Sequence, residues 1–135
     1  MTRRYMLDTN AVSRIVTNRS EVGLKRLSRH LPRELCVSVI TFGEIRFGLA
    51  RPPEATRLAT AIADFFAEID VLHWTEDCAT VYGRLRAEME HKGKALGPLD
   101  MLIAAHALTI GATLVTSNRA FRFVPDLAVE DWLAS

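Results

Sequence analysis

The chain has 135 residues, 49% of them hydrophobic and 24% charged, and 17 Lys and Arg against 16 Asp and Glu leave a formal charge of +1. That length suits a single domain, residues 1–135, burying roughly two thirds of its unfolded surface, and the balance excludes intrinsic disorder. Overall charge gives no sign of nucleic-acid binding, although acids gathered into a site would leave the remaining exterior more basic than the total.

Arg3 and Arg4 open an apolar run that stops at Asp8, too short for a signal-peptide core or a membrane span, so a cytoplasmic setting is expected. Arg4 to Leu7 reads as the first strand, and Leu35 to Ser38 as the second. Glu44 is expected to open the following helix, with Thr41 three residues before it at the spacing of a capping box. Arg51-Pro52-Pro53 reads as a turn into a helix from Ala55 to Glu68, where Leu58, Ile62, Phe65 and Phe66 recur every three to four residues. Ile69 to Leu72 reads as a third strand. Thr75-Glu76-Asp77 then starts a helix through Val81, Leu85 and Met89 that ends at Lys92-Gly93. Pro98 fits a first helical position, Met101 to Ile110 continues as an apolar helix closed by Gly111, and Thr113 to Thr116 is a short strand with Asn118 as a turn residue. Alternating strands and helices predict an α/β fold. Cys36 and Cys78 follow no CxxC spacing and read as buried free thiols.

In open α/β sheets ligands bind outside the carboxyl ends of the strands. Asp8, Glu44 and Asp100, with the amide Asn118, are all placed after strands or at helix starts. Taken singly, each has an ordinary explanation as a cap, a dipole partner or a turn residue. Together they imply a cluster. Carboxylates about 4 Å apart repel by roughly 4 kcal/mol at an effective dielectric of 20, so something positive must sit among them. Hard oxygen ligands suit Mg²⁺ or Mn²⁺. The histidines, His30, His73, His91 and His106, lack zinc spacing, and His106 reads as packed on its apolar helix. Carboxylate-held divalent ions point to phosphoryl chemistry. The absence of GxxxxGK[ST] and GxGxxG motifs argues against an ATPase, a kinase or a dinucleotide enzyme, and a nuclease is what remains.

The segments Tyr5-Met-Leu-Asp8-Thr-Asn10, Ser38-Val-Ile-Thr-Phe-Gly-Glu44-Ile and Gly97-Pro-Leu-Asp100-Met-Leu-Ile-Ala resemble the PIN domain, specifically the VapC toxins of bacterial toxin-antitoxin pairs. The resemblance spans nearly the whole chain. It implies a three-layer α/β/α sandwich around a mainly parallel sheet. It also implies a Mg²⁺-dependent endoribonuclease, with Mn²⁺ as a substitute, that cuts structured RNA such as tRNA or rRNA, dimerises, and is silenced by a VapB antitoxin. By motif position Asp8, Glu44 and Asp100 match the metal-binding acids, and Thr116-Ser117-Asn118 fills the fourth catalytic position with an amide. The rival reading keeps the fold as a non-catalytic module that binds antitoxin or RNA.

On this reading Asp8 and Asp100 hold the principal ion, Glu44 binds metal or orients water, and Thr9 and Thr116 hold the acids in place. Arg14, Arg46, Arg51, Lys92, Lys94, Arg119 and Arg122 are the candidate RNA contacts, with His91-Lys-Gly-Lys94 as an RNA-facing loop. No aromatic stacking platform of the RRM type is visible. The antitoxin is expected to bury an apolar groove and place a basic side chain among the acids.

Overall fold

The architecture follows from alternation along strands of two to four residues. A computed structural model of the chain describes residues 3–51 and 56–134. In strand β1 (Tyr5–Leu7) Met6 and Leu7 are both wholly buried yet belong to different cores, because successive side chains of a strand point to opposite faces. Strand β2 (Leu35–Ser38) repeats this, with Cys36 on one face and Leu35 and Val37 on the other. In β4 (Thr113–Val115), Leu114 and Val115 divide in the same way. With both faces covered, each fully buried aliphatic or aromatic side chain contributes about 1.5–3 kcal/mol. The strands accordingly read as continuous apolar runs.

Helices α5 (Glu76–His91) and α6 (Pro98–Ile110) cover one face through Leu85, Met89, Ile103 and Ala107. The other face is covered by α1 (Thr9–Val12), the π-helical turn Ser13–Thr17, α3 (Val39–Ala50) and α4 (Thr56–Glu68), with Trp132 wholly buried among them. Helix α2 (Glu21–Leu27) lies against the π turn so closely that a Cβ on Gly23 would stand 2.5 Å from Cγ1 of Ile15. The result is an α/β/α sandwich. Its sheet, with β3 (Asp70–Leu72) and β5 (Val129–Glu130) at the edges, has the order β3-β2-β1-β4-β5 and every pairing is parallel.

The expected helix start at Thr41–Glu44 is corrected. Helix α3 begins at Val39, capped by the Ser38 hydroxyl accepting from the Ile40 N–H at 3.1 Å, so Glu44 lies in its second turn and Thr41 is buried inside it. Ser38 is an acceptor already in extended conformation at the end of β2, so the chain turns helical there without a loop. Strand β5, α1 and α2 have no counterpart among the elements expected from the sequence. Helix α4 is described from Thr56, and the expected turn at Arg51-Pro52-Pro53, beyond Arg51 itself, and the start at Ala55 lie outside the described residues. Elsewhere the caps follow the sequence: the Thr75 hydroxyl accepts from the Cys78 N–H at 3.3 Å, and Gly111 closes α6 at φ 68°, a left-handed conformation that suits glycine. Cys36 and Cys78 are free and buried. Among the described residues no helix is long and apolar enough to cross a membrane.

Candidate active site

Successive strands step away from β1 in one direction through β2 and β3, and the chain then returns to add β4 and β5 on the other side. The order therefore reverses between β1 and β4, and a crevice opens at the carboxyl ends of such a pair. Asp8 and Thr116 leave those two ends side by side. The Asp8 N–H continues the ladder by donating to the Val115 carbonyl at 3.1 Å.

Asp8 is 2% exposed. Its Oδ1 accepts from the Ala11 N–H at 2.8 Å, capping α1, and its Oδ2 accepts from the Thr116 hydroxyl. The cap and the site residue are thus one side chain. Burial pushes the carboxyl up to about 6; the bonds from Thr116 and Ala11 oppose this, and the charges of Asp100 and Glu44 add to it. Asp100, in the first turn of α6, is raised too, by burial and then by the charge of Glu44, against a lowering bond from Asn118. The three acids share one field, and none of them forms an ion pair with a Lys, Arg or His among the described residues.

Each acid is held by its own donor. The Thr9 hydroxyl donates to Oε1 of Glu44 and stands 3.4 Å from the Thr41 hydroxyl. The Asn118 side-chain NH₂ donates to Oδ2 of Asp100 at 3.4 Å, while its Oδ1 caps the 3₁₀ turn Arg119–Phe123 by accepting from the Ala120 N–H. The amide oxygen is therefore committed to the backbone, and Asn118 faces the site as a donor. Thr116 binds in both directions, since its Oγ1 also accepts the Asn118 N–H at 3.0 Å.

The charges of Asp100 and Glu44 both act on Asp8, and each of the three acids is also bonded to a different hydroxyl or amide. Among the described residues no three His, Cys, Asp or Glu side chains stand close enough together to form a ready-made metal site. The donor set still fits a hard cation. It is all oxygen, it carries unopposed negative charge, and Mg²⁺ commonly takes one or two carboxylates and keeps several waters.

The basic residues scatter. Arg14, Arg46 and Arg119 are exposed and form no ion pair among the described residues. Lys92 pairs with Glu88 at 3.3 Å, Arg51 lies over the Phe47 ring, and Lys94 lies over that of Phe123. His106 is buried with Nδ1 2.7 Å from the Ser38 hydroxyl, and burial lowers its pKa. It therefore serves the β2–α6 packing.

Two features are not located by the sequence: a tie beside Thr116, and the walls of the apolar groove that is expected from the sequence but not placed by it. Ser117 donates to Asp131 at 2.7 Å, tying the chain beside Thr116 to the segment after β5; the Ser and Asp are 14 residues apart, and no local spacing rule marks them. Beside Glu44 and Thr9 a groove of about 730 Å³ runs between the π turn, α3 and α4, lined by Phe47, Leu58, Ile62 and Leu99. Phe47 is 65% exposed there. An aromatic at Phe47 and an aliphatic at Leu99, each close to a site acid in the sequence, are the only signal that could have marked it.

A parallel sheet with three acids gathered at its reversal point defines an open α/β protein whose ligand crevice is acidic. The chain belongs to the PIN domain family, whose pattern matches residues 5–127. Within it the relatives are VapC proteins. The chain is 33% identical over 130 residues, 96% of its length and 98% of the relative's, to the tRNA(fMet)-specific endonuclease VapC of Salmonella typhimurium. It is 30% identical over 132 residues, 95% and 97% of the two lengths, to ribonuclease VapC2 of Rickettsia felis. Among solved structures it is similar to VapBC from Salmonella typhimurium bound to DNA, with a TM-score of 0.89, 33% identity and coverage of 96% of this chain and 98% of that one. VapBC2 from Rickettsia felis bound to a promoter DNA fragment follows at 0.87 and 29%, covering 95% and 98%.

Proposed function

We propose that the chain is a Mg²⁺-dependent endoribonuclease that hydrolyses phosphodiesters of structured RNA, tRNA or rRNA, and is held inactive by a VapB-type antitoxin. The observation that carries this reading is Asp8: a carboxyl 2% exposed, raised to about 6, beside two further acids and without a cationic partner among the described residues. Such a group is kept at a cost to the fold, and a cation that offsets its charge gives it a purpose. The relatives named as a ribonuclease and a tRNA(fMet)-specific endonuclease supply the substrate class.

Asp8 and Asp100 would hold the ion, with Glu44 beside them. When bound, a divalent cation offsets the charge that develops on the phosphoryl group and on the leaving oxygen. The chain does the positioning. Thr116 and Ala11 fix Asp8, Asn118 turns Asp100, and Thr9 aims Glu44, whose free oxygen can accept a proton as water attacks phosphorus in line. Arg14, Arg46, Lys94 and Arg119, exposed and without an ion pair among the described residues, are the proposed contacts to RNA phosphates, and Lys92 contributes less while paired with Glu88.

The apolar groove beside Glu44 is the proposed seat for an antitoxin segment, which would carry a basic side chain to the acids in place of the ion. The two solved structures named above are VapBC bound to DNA, which supports a B-type partner for this chain. Free buried Cys36 and Cys78 suit a reducing cytoplasm, and a homodimer is the proposed assembly. The deciding experiment incubates the protein with cellular RNA and, separately, with DNA, in Mg²⁺ and in chelator. RNA alone should be cut, and only with metal. Asp100→Asn should lose at least the ~10²-fold that removal of one electrostatic catalytic group costs. RNA cleavage at full rate by a folded Asp100→Asn would end the proposal.

A further inference from the structure

Phe123 leaves 53% of its surface in solvent, whereas Phe121, two residues earlier in the same 3₁₀ turn, is wholly buried. A single exposed aromatic is ordinary, but the placing of this one is not. The turn is capped by Asn118, the residue that donates to Asp100, and Phe123 is its last residue. At ~2 Å per residue the backbone of Phe123 lies at most roughly 10 Å along the turn from that cap. The ammonium of Lys94 sits over the ring at 4.2 Å from its centroid. Lys94 comes from the loop before Gly97, the N-cap of the helix that carries Asp100. The two segments that supply Asp100 and Asn118 are thus joined a second time, by a cation on an aromatic face. Arg119 and Arg122 in the same turn are exposed, and neither they nor Lys94 form an ion pair among the described residues.

We propose that Phe123 is a base-stacking seat for substrate RNA. An unpaired base within a few nucleotides of the scissile phosphate lies on the ring while Lys94 passes from the ring to the RNA backbone. Every base offers a π face, so the seat selects for an unpaired nucleotide at that position and not for its sequence. A polyanion is the occupant the charges favour: Lys94, Arg119 and Arg122, on the two segments that meet at the ring, are three exposed cations without an ion pair among the described residues. The inference deepens the RNA-cleaving reading and rests on it.

The test uses a short single-stranded oligoribonucleotide of mixed sequence, and a set of the same oligomer with one abasic nucleotide placed at each position in turn. Cleavage kinetics and affinity by fluorescence anisotropy are measured for wild type, Phe123→Ala and Phe123→Tyr. Phe123→Ala should raise KM by roughly 5- to 150-fold, the range for loss of one stacked base, and Phe123→Tyr should restore it. One abasic position near the cleavage site should weaken wild type by a similar factor and leave Phe123→Ala almost indifferent. A ring that only supports the fold would not produce that pairing of one residue with one base. An abasic scan that affects wild type and Phe123→Ala alike overturns the seat. An unchanged KM with a weakened complex with co-purified antitoxin also overturns it and reassigns the ring to a protein partner. If wild type binds the oligomer without cutting it, the seat is decided by whether the abasic effect on affinity vanishes in Phe123→Ala, and the nuclease reading is decided separately on cellular RNA.

Discussion

Replacing Asp8 by Asn should destroy catalysis and stabilise the fold, and the second effect can be worked out. The carboxyl is raised from 3.8 to about 6 in the folded chain. About two pKa units correspond to ~3 kcal/mol. Because the folded state holds the proton more tightly than the unfolded chain does, stability is full below pH ~4, falls as pH rises through about 6, and stays reduced above it. Asn carries no charge to desolvate. It can still accept the Ala11 N–H, and the Thr116 hydroxyl can rotate to accept from its NH₂; the bonds that Thr116 and Ala11 make to the ionised carboxyl are already included in the value of about 6. The net gain at pH 8 is therefore about 3 kcal/mol, or roughly 10 °C in Tm for a domain of this size. Thermal unfolding of both proteins in chelator from pH 4 to pH 8 reads this directly. The two Tm curves should meet at the acid end and separate through pH 6, with the variant above. Adding Mg²⁺ at pH 8 should raise the wild type and leave the variant almost unmoved. Parallel curves, or a variant less stable at pH 8, would refute the claim that Asp8 is held charged against its surroundings.

Two further outcomes follow from the same geometry. Thr116→Val removes the bond to Asp8 and the acceptor for the Asn118 N–H; RNA cleavage should fall about 10- to 100-fold, as for other groups that orient metal-binding residues, and the pH at which metal binding is half-maximal should rise, because a bond that lowers the Asp8 pKa is gone. Gly23→Ala places a Cβ 2.5 Å from the Ile15 side chain, and should cost about 1–3 kcal/mol by overpacking, read as a lower urea midpoint with catalysis intact in the folded fraction.

Asp8 and Asp100 are legible because each follows a feature with one local meaning: an apolar run that ends abruptly, and a Gly-Pro helix start. The start of α3 is not. Val39, Ile40, Thr41 and Phe42 are β-branched or aromatic and favour a strand, so the sequence points to a helix that opens only at Glu44. Packing overrides that preference, with the Phe42 ring 5.0 Å from that of Phe66 on α4. Strand β5 has two residues, too few for any periodicity. The link from Thr116 to Asp8 spans 108 positions, and the sequence names Thr116 as a supporting group without showing which oxygen it serves. Phe121 and Phe123 look equivalent in the sequence, and only the turn sends one inward and the other out.

Strand β1 is flanked on both sides, by β2 and by β4, and Asp8 is the next residue after it. The key carboxyl is thus riveted to the part of the molecule that amide exchange would find opening last. On heating, the capacity to cut and the native state should disappear at one temperature, leaving no folded but idle species between them.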